Sequence, residues 1–313
     1  MKTDYIEFLK SKMVIAPKSG IGIDKGEISD VLKPHQRDIV MWAVQGGRRA
    51  IFAAFGLGKT IMQLEWCRLI HAHKGGKMLI ICPLGVKQEF MRDAENLLHM
   101  DPPVYARNMA EVEAAPGWLM ITNYERVRDG DIRPDAFSGT SLDEAAVLRS
   151  FGSKTYQTFL DKFRGVPYKL VSTATPSPNR YKELIHYSGY LEIMDTGQAL
   201  TRFFKRDSTK ANNLTLYPHK EKEFWLWLST WALFIQKPSD LGYDDTGYDL
   251  PELEVRYHKL GRPTELTEEK DGQIKMFQDA AQGLKEAARE KRESIDIRMA
   301  EAKRIIDAAP DDH

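Results

Sequence analysis

The sequence predicts an α/β fold built on a parallel sheet, and three observations carry that prediction. Four strand-length apolar runs, at 50–54, 78–82, 118–121 and 168–172, punctuate the first two hundred residues. Polar segments with helical spacing lie between them, the alternation expected of βαβ units. The first run leads into a glycine-rich turn, Phe55-Gly56-Leu57-Gly58-Lys59-Thr60, which opens a helical stretch.

In that stretch Ile61, Leu64 and Trp66 to Leu69 recur at helix-like intervals and stop near Gly75-Gly76, so 59–73 reads as a helix. Cys67, His71 and His73 lie on it, one turn or so apart. Zinc would lack a fourth ligand, so they read as helix packing. After about residue 195 the texture changes. Residues 201–220 are polar and mixed, followed by Phe224-Trp225-Leu226-Trp227-Leu228 with Trp231 and Phe234. That aromatic run reads as a buried helix face in preference to a base-stacking platform. Turn chemistry at 237–242 ends it. Leu253, Val255 and Tyr257 alternate with charged residues, as in a half-exposed strand. From Thr267 the pattern is helical through Ile274, Phe277, Ala281, Leu284 and Ala288, and again through Ile295, Met299, Ala302 and Ile306.

Composition narrows the class. The 313 residues allow about two domains at roughly 150 residues each. With 42% hydrophobic and 29% charged residues, the chain has the make-up of an ordinary soluble protein with a real core. Lys and Arg number 45, as do Asp and Glu, so bulk charge recruits no polyanion. Any nucleic-acid contact has to come from a local patch. The apolar runs are far shorter than the ~20 residues of a membrane span, and the charged N-terminus has no signal core. Two cysteines, Cys67 and Cys82, are too few for a disulfide scaffold and suit a reducing cytoplasm.

The turn from Ala53 to Thr60 carries the chemistry. Glycines let backbone N–H groups face an anion without a Cβ in the way, and the helix N-terminus adds partial positive charge. Lys59 would reach the β- and γ-phosphates of a nucleotide, and the Thr60 hydroxyl would ligate Mg²⁺. The strict phosphate-loop pattern has Gly where this chain has Ala53. Nucleotide binding is the expectation.

Further along stand Asp143-Glu144-Ala145-Ala146 and then Thr173-Ala174-Thr175-Pro176. In this order the three motifs resemble the first RecA-like lobe of superfamily-two helicases, and most closely the Snf-type DNA translocase branch found among phage and prophage helicase-like proteins. The resemblance covers roughly 30–195 well and 196–313 more loosely. It implies a P-loop NTPase, RecA-like parallel sheet flanked by helices, followed by a mainly helical insertion and connector. The expected organisation is an N-terminal extension over 1–29, the ATP-binding lobe over 30–195, an insertion and connector strand over 196–262, and a helical segment over 263–313. That segment would lead toward a second lobe absent from this chain.

The resemblance also assigns residues. Gln36 would read adenine, its amide offering one donor and one acceptor. Gly56, Gly58, Lys59 and Thr60 would hold the phosphates. Asp143 would support Mg²⁺, and Glu144 would orient and deprotonate the attacking water. Lys87 stands in a segment resembling motif Ia, where it is either a phosphate contact or a solvated surface lysine. Thr122 and Asn123 fall in a segment resembling motif Ib. Thr173 and Thr175 would link the γ-phosphate region to the nucleic-acid groove. Two departures stand out: Ala146 replaces the usual His or Asp, and 136–142 is polar for a central strand.

The implied activity is nucleic-acid-dependent hydrolysis of ATP with Mg²⁺, on double-stranded DNA, in the cytoplasm or a phage host's cytoplasm. The implied partners are nucleic acid and the second lobe, and no membrane. The alternatives are a nucleotide-binding or DNA-docking module that does not turn over, and a fragment of an RNA helicase.

Overall fold

The computed structural model describes residues 15–149, 154–177, 180–206, 214–248, 255–258, 260, 288, 291–292 and 294–308. The chain divides into two compact units, 1–249 and 250–313.

The first unit is built on seven strands: β1 (Arg48–Ala53), β2 (Met78–Ile81), β3 (Val104–Tyr105), β4 (Leu119–Thr122), β5 (Gly139–Asp143), β6 (Tyr168–Ser172) and, much later in the chain, β9 (Ala232–Ile235). They form one sheet in the order β3-β4-β2-β5-β6-β1-β9, with every pairing parallel. A short antiparallel pair, β7 (Phe204–Arg206) and β8 (Leu214–Leu216), stands apart from it. All four strands read from the apolar runs are present.

Helices cover both faces, because parallel strands need crossovers of helical length. The helices that matter for the site are α1 (Pro34–Gly46), α2 (Lys59–Lys74), α3 (Lys87–Asn96), α4 (Met109–Ala114) and α5 (Tyr124–Asp129). After β5 come α6 (Lys154–Lys162), α7 (Lys182–Tyr190), α8 (Thr196–Phe203) and α9 (Glu221–Ser229). The strand alternation divides the core in two. Ala50, Phe52, Leu79, Ile81 and Val171 point to one cluster, while Ile51, Ala53, Met78, Ile80 and Leu170 point to the other. With a side-chain period of two, this is what a sheet buried on both faces requires.

Two elements differ from the sequence pattern in instructive ways. The polar segment ending at Asp143 is a central strand after all, buried at every position of β5. Small side chains permit it: a Cβ on Gly139 would lie 2.7 Å from the Met78 side chain, and the Ser141 hydroxyl donates to Gln63 Oε1 at 2.7 Å. The aromatic run past residue 220 likewise does more than form a helix. Trp227 and Trp231 are buried as expected, but the chain then enters β9, which pairs with β1 and carries the sheet well beyond residue 195.

In the second unit the described residues include α10 (Ile295–Ala308), matching the helical spacing read there. The helical pattern over 267–287 and Leu253 lie outside the described residues. Val255 and Tyr257 are exposed and belong to no strand. Among the described residues, no helix is long and apolar enough to cross a membrane.

Candidate nucleotide-binding site

Open parallel sheets place ligands at the carboxyl ends of their strands, and the candidate residues gather there. From the end of β1 the chain turns through Ala54 to Gly58 and enters α2. Gly56 and Gly58 have φ of +79° and +77°, a region that glycine adopts without strain. Gly58 is also sterically required, since a Cβ there would lie 2.4 Å from Gln36 Nε2. Around Gly56 there is open space.

The Lys59 ammonium folds back over this loop and donates to the Ala53 and Ala54 carbonyls, at 3.2 Å each. Burial lowers its pKa, against the attraction of Glu144, Asp143 and Glu89. Thr60 is half-buried on the first turn of α2. One turn further, Gln63 is fully buried and donates from Nε2 to Asp143 Oδ1 at 2.8 Å. Sequence reasoning passed over Gln63. The available signal was a polar residue three positions from Thr60, on one helical face with it.

Asp143 ends β5 and is 6% exposed. Burial, helped by the neighbouring Glu144, pushes its carboxyl up to about 6, against the pull of Gln63 and Lys59. Glu144 has φ +48°, an unfavourable conformation for a residue with a Cβ. Its Oε2 accepts from the Thr173 hydroxyl at 3.1 Å, and Thr173 Oγ accepts in turn from the Thr175 N–H at 3.2 Å. Thr173 follows β6, so β1, β5 and β6, adjacent in the sheet, together deliver Lys59, Asp143, Glu144 and Thr173. Two adjacent carboxylates, one of them held above its normal range by burial, form a donor set that suits a hard divalent cation beside phosphate. On that chemistry Asp143 suits Mg²⁺, and the Thr60 hydroxyl, three residues before Gln63 on α2, is the candidate second ligand.

Gln36 is buried in the first turn of α1. Its Oε1 accepts from the Lys33 N–H at 2.9 Å, and its Nε2 donates to the Leu57 carbonyl at 3.0 Å. The amide therefore ties α1 to the glycine-rich turn and keeps one donor and one acceptor position beyond those bonds. Beside it, Tyr248 makes a hydroxyl contact with His35 Nε2 at 3.3 Å, and its ring lies 4.2 Å under Lys33 Nζ.

The residues read as nucleic-acid contacts lie farther along the same edge. Lys87 is half-buried, with Nζ 4.3 Å over the Tyr105 ring. Thr122 is 1% exposed, and its hydroxyl donates to the Ala106 carbonyl at 2.7 Å. Asn123 is also buried; Nδ2 donates to Glu125 Oε2 at 2.6 Å, and Oδ1 has no partner among the described residues. These two hold the loop after β4 more directly than they face solvent. Cys67 is fully buried, and His71 stacks on Trp118 with centroids 4.4 Å apart, so both pack as the helix reading expects.

The seven-stranded parallel sheet, flanked by helices, has the RecA-like fold found in helicase ATPase cores. The ATPase core of the Sulfolobus solfataricus SWI2/SNF2 protein, solved in complex with dsDNA, superposes with a TM-score of 0.55 at 16% identity. The match covers 68% of this chain and 46% of that one, so the chain spans under half of its length. The UvsW helicase of bacteriophage T4 gives 0.43 at 15% identity over 61% of this chain and 65% of its own. The Pyrococcus furiosus Hef helicase domain gives 0.43 at 18% over 51% and 36%. No protein-family profile matches the chain, and no curated protein does.

Proposed function

We propose that this chain is the ATP-binding lobe of a nucleic-acid-dependent ATPase, a DNA translocase or helicase of the Snf-type branch that hydrolyses ATP to ADP and phosphate. The observation that carries this reading is the junction of the Lys59 turn with the Asp143–Glu144 pair: Gln63 joins α2 to Asp143, and Thr173 holds Glu144. A nucleotide-binding turn alone would need neither contact.

Each residue then has a task. Gly56 and Gly58 expose backbone N–H groups to the phosphates, and Lys59 exchanges its carbonyl partners for phosphate oxygens. Thr60 and Asp143 hold Mg²⁺, which when bound offsets phosphate charge. Glu144 accepts the proton of the attacking water as its oxygen bonds the γ-phosphorus and the bond to ADP breaks. Thr173 fixes the carboxylate that takes this proton. Gln36 uses its remaining amide positions on the adenine edge. Duplex DNA is the proposed partner, as in the SWI2/SNF2 core solved with dsDNA, with Lys87 and the loop at Thr122 and Asn123 as its candidate contacts. Arginines from a second lobe would complete the transition-state charge.

The test is ATP turnover by the full chain with no nucleic acid, duplex DNA, single-stranded DNA or RNA, with Lys59→Ala as control. Turnover stimulated by duplex and abolished by the substitution supports the reading. Binding of ATP with no stimulated turnover in the full-length protein sinks it.

A further inference from the structure

The loop after β4 and the carboxylate pair after β5 are not neighbours in the sheet, because β2 lies between their strands. At about 4.8 Å per strand, the gap is about 10 Å. A side chain crosses it. Tyr124, the first residue of α5, donates its hydroxyl to the Asp143 main-chain carbonyl at 2.5 Å.

That carbonyl belongs to the Asp143–Glu144 peptide, and Glu144 follows it at φ +48°. A residue with a Cβ stays in that region only where its surroundings hold it. Side chains from three other elements hold this peptide and its carboxylates: Gln63 on Asp143 Oδ1, Thr173 on Glu144 Oε2, and Tyr124 on the backbone between them. The first two come from the nucleotide side of the site. Only Tyr124 arrives from the loop of Thr122 and Asn123.

The tyrosine is built as a rigid strut. Its ring stacks on Phe159 of α6 with centroids 5.8 Å apart and planes 25° from parallel, and Phe159 is fully buried. Burial raises the phenol's pKa well above its ordinary value, so the hydroxyl remains a donor at any working pH. At the other end, the buried Asn123 Oδ1 has no partner among the described residues, so the loop has an acceptor whose satisfaction would change when something binds or shifts there.

We propose that Tyr124 is a positioning residue that couples the loop after β4 to the hydrolytic carboxylates, so that nucleic acid seated on that loop sets the aim of Glu144 through the Asp143 carbonyl. The inference rests on the functional reading above. A shift of α5 moves the tyrosine oxygen, the oxygen turns the Asp143–Glu144 peptide, and Glu144 changes direction at the end of it. Where the coupling is expressed in binding it is reciprocal, so the factor by which nucleotide tightens nucleic acid equals the factor by which nucleic acid tightens nucleotide.

Tyr124→Phe removes one oxygen and keeps the ring on Phe159. The full chain is titrated with a non-hydrolysable ATP analogue and Mg²⁺, with a blunt duplex DNA, and with each in the presence of the other. In the wild type each ligand is expected to tighten the other by at least fivefold. In the variant each ligand alone binds within twofold of wild type, the mutual enhancement falls below twofold, and duplex-stimulated kcat drops about tenfold with KM for ATP within twofold. A thermal midpoint within a few degrees of wild type accompanies this result. Unchanged enhancement in Tyr124→Phe overturns the proposal, as does weakened binding of either ligand alone, which marks a purely structural role. A wild type that binds nucleotide but not duplex, or binds both independently, overturns the coupling and leaves the nucleotide site standing. A wild type whose nucleotide affinity equals that of Lys59→Ala removes the functional reading itself.

Discussion

Gln63 and Asp143 lie 80 residues apart in sequence, yet they meet through a single buried bond of 2.8 Å between amide and carboxylate. The same amide accepts from Ser141, two residues before Asp143 on β5. Gln63 thus clamps the phosphate-turn helix to the acidic strand at two points. Such a clamp fixes the distance between Thr60 and Asp143, the two groups that would share a divalent cation.

Gln63→Leu keeps the volume and removes both bonds. It leaves the Ser141 hydroxyl and Asp143 Oδ1 buried without their partner, at roughly 1–3 kcal/mol per group. The expected outcome is a loss of about 2–6 kcal/mol in urea unfolding, with Mg²⁺-dependent nucleotide affinity down about tenfold and Mg²⁺-free affinity unchanged. Equal losses with and without Mg²⁺ would show that the clamp serves stability alone.

The two loop glycines separate strain from contact. Both carry φ near +78°, so an alanine at either costs about 1–2 kcal/mol in backbone conformation. At Gly56 the added methyl meets nothing, whereas at Gly58 it meets Gln36 Nε2 and drives it off the Leu57 carbonyl. Gly56→Ala is expected to weaken all nucleotides alike, and Gly58→Ala to lose the preference for adenine over guanine as well. Competition titrations with ATP and GTP check this. Parallel losses would detach Gln36 from base recognition.

The outline of the fold was legible because it rests on local signals. Continuous apolar runs of strand length marked β1, β2, β4 and β6, and glycine spacing marked the turn before α2. β5 was harder, since Gly139, Thr140 and Ser141 look like loop residues until Gln63 supplies the partner that makes a buried serine tolerable. β9 was hidden for a different reason. Phe234 is 42% exposed on the sheet edge, and the strand follows a tryptophan-rich helix whose pattern masks it. In the site, Lys59, Asp143 and Glu144 could be named from motif order. The residues that join them, Gln63 and Tyr124, could not, because a buried amide or phenol declares its partner only in three dimensions.

Thr173 offers a test of how Glu144 is held. Thr173→Val preserves the branched shape and deletes the hydroxyl that donates to Glu144 Oε2. Removing the proposed base, with Glu144→Gln, is expected to lower stimulated kcat by about 10²–10⁴, the usual range for general base catalysis. Losing only its positioning partner should cost about tenfold, with KM for ATP within twofold in both variants. Single-turnover and steady-state rates on duplex DNA distinguish them. A Thr173→Val enzyme with wild-type kcat would mean that the strained backbone at Glu144 suffices without the hydroxyl.

His186 gives a prediction that needs no ligand. It lies on α7, is 4% exposed, and packs edge-on against Tyr156 with centroids 5.3 Å apart. Burial, reinforced by Lys182, pulls its pKa down to about 4 from an ordinary 6.5. The unfolded chain therefore binds this proton first. The contribution of neutral His186 is fully present above pH 6.5 and is lost as pH falls toward 4, at about 1.4 kcal/mol per pH unit, or about 3 kcal/mol in all. Asp143 works in the opposite direction. Its carboxyl is raised to about 6, so acidification through that value relieves a penalty and stabilises the fold. In the absolute stability curve the two partly cancel, so a shallow acid limb says nothing about either. His186→Gln leaves Asp143 in place and removes one titration. Urea midpoints of wild type and variant, compared from pH 7.5 down to 4.5, should converge as pH falls, because only the wild type carries the histidine's loss. A difference that stays constant over that range would show that His186 charges as readily in the folded protein as in the unfolded chain.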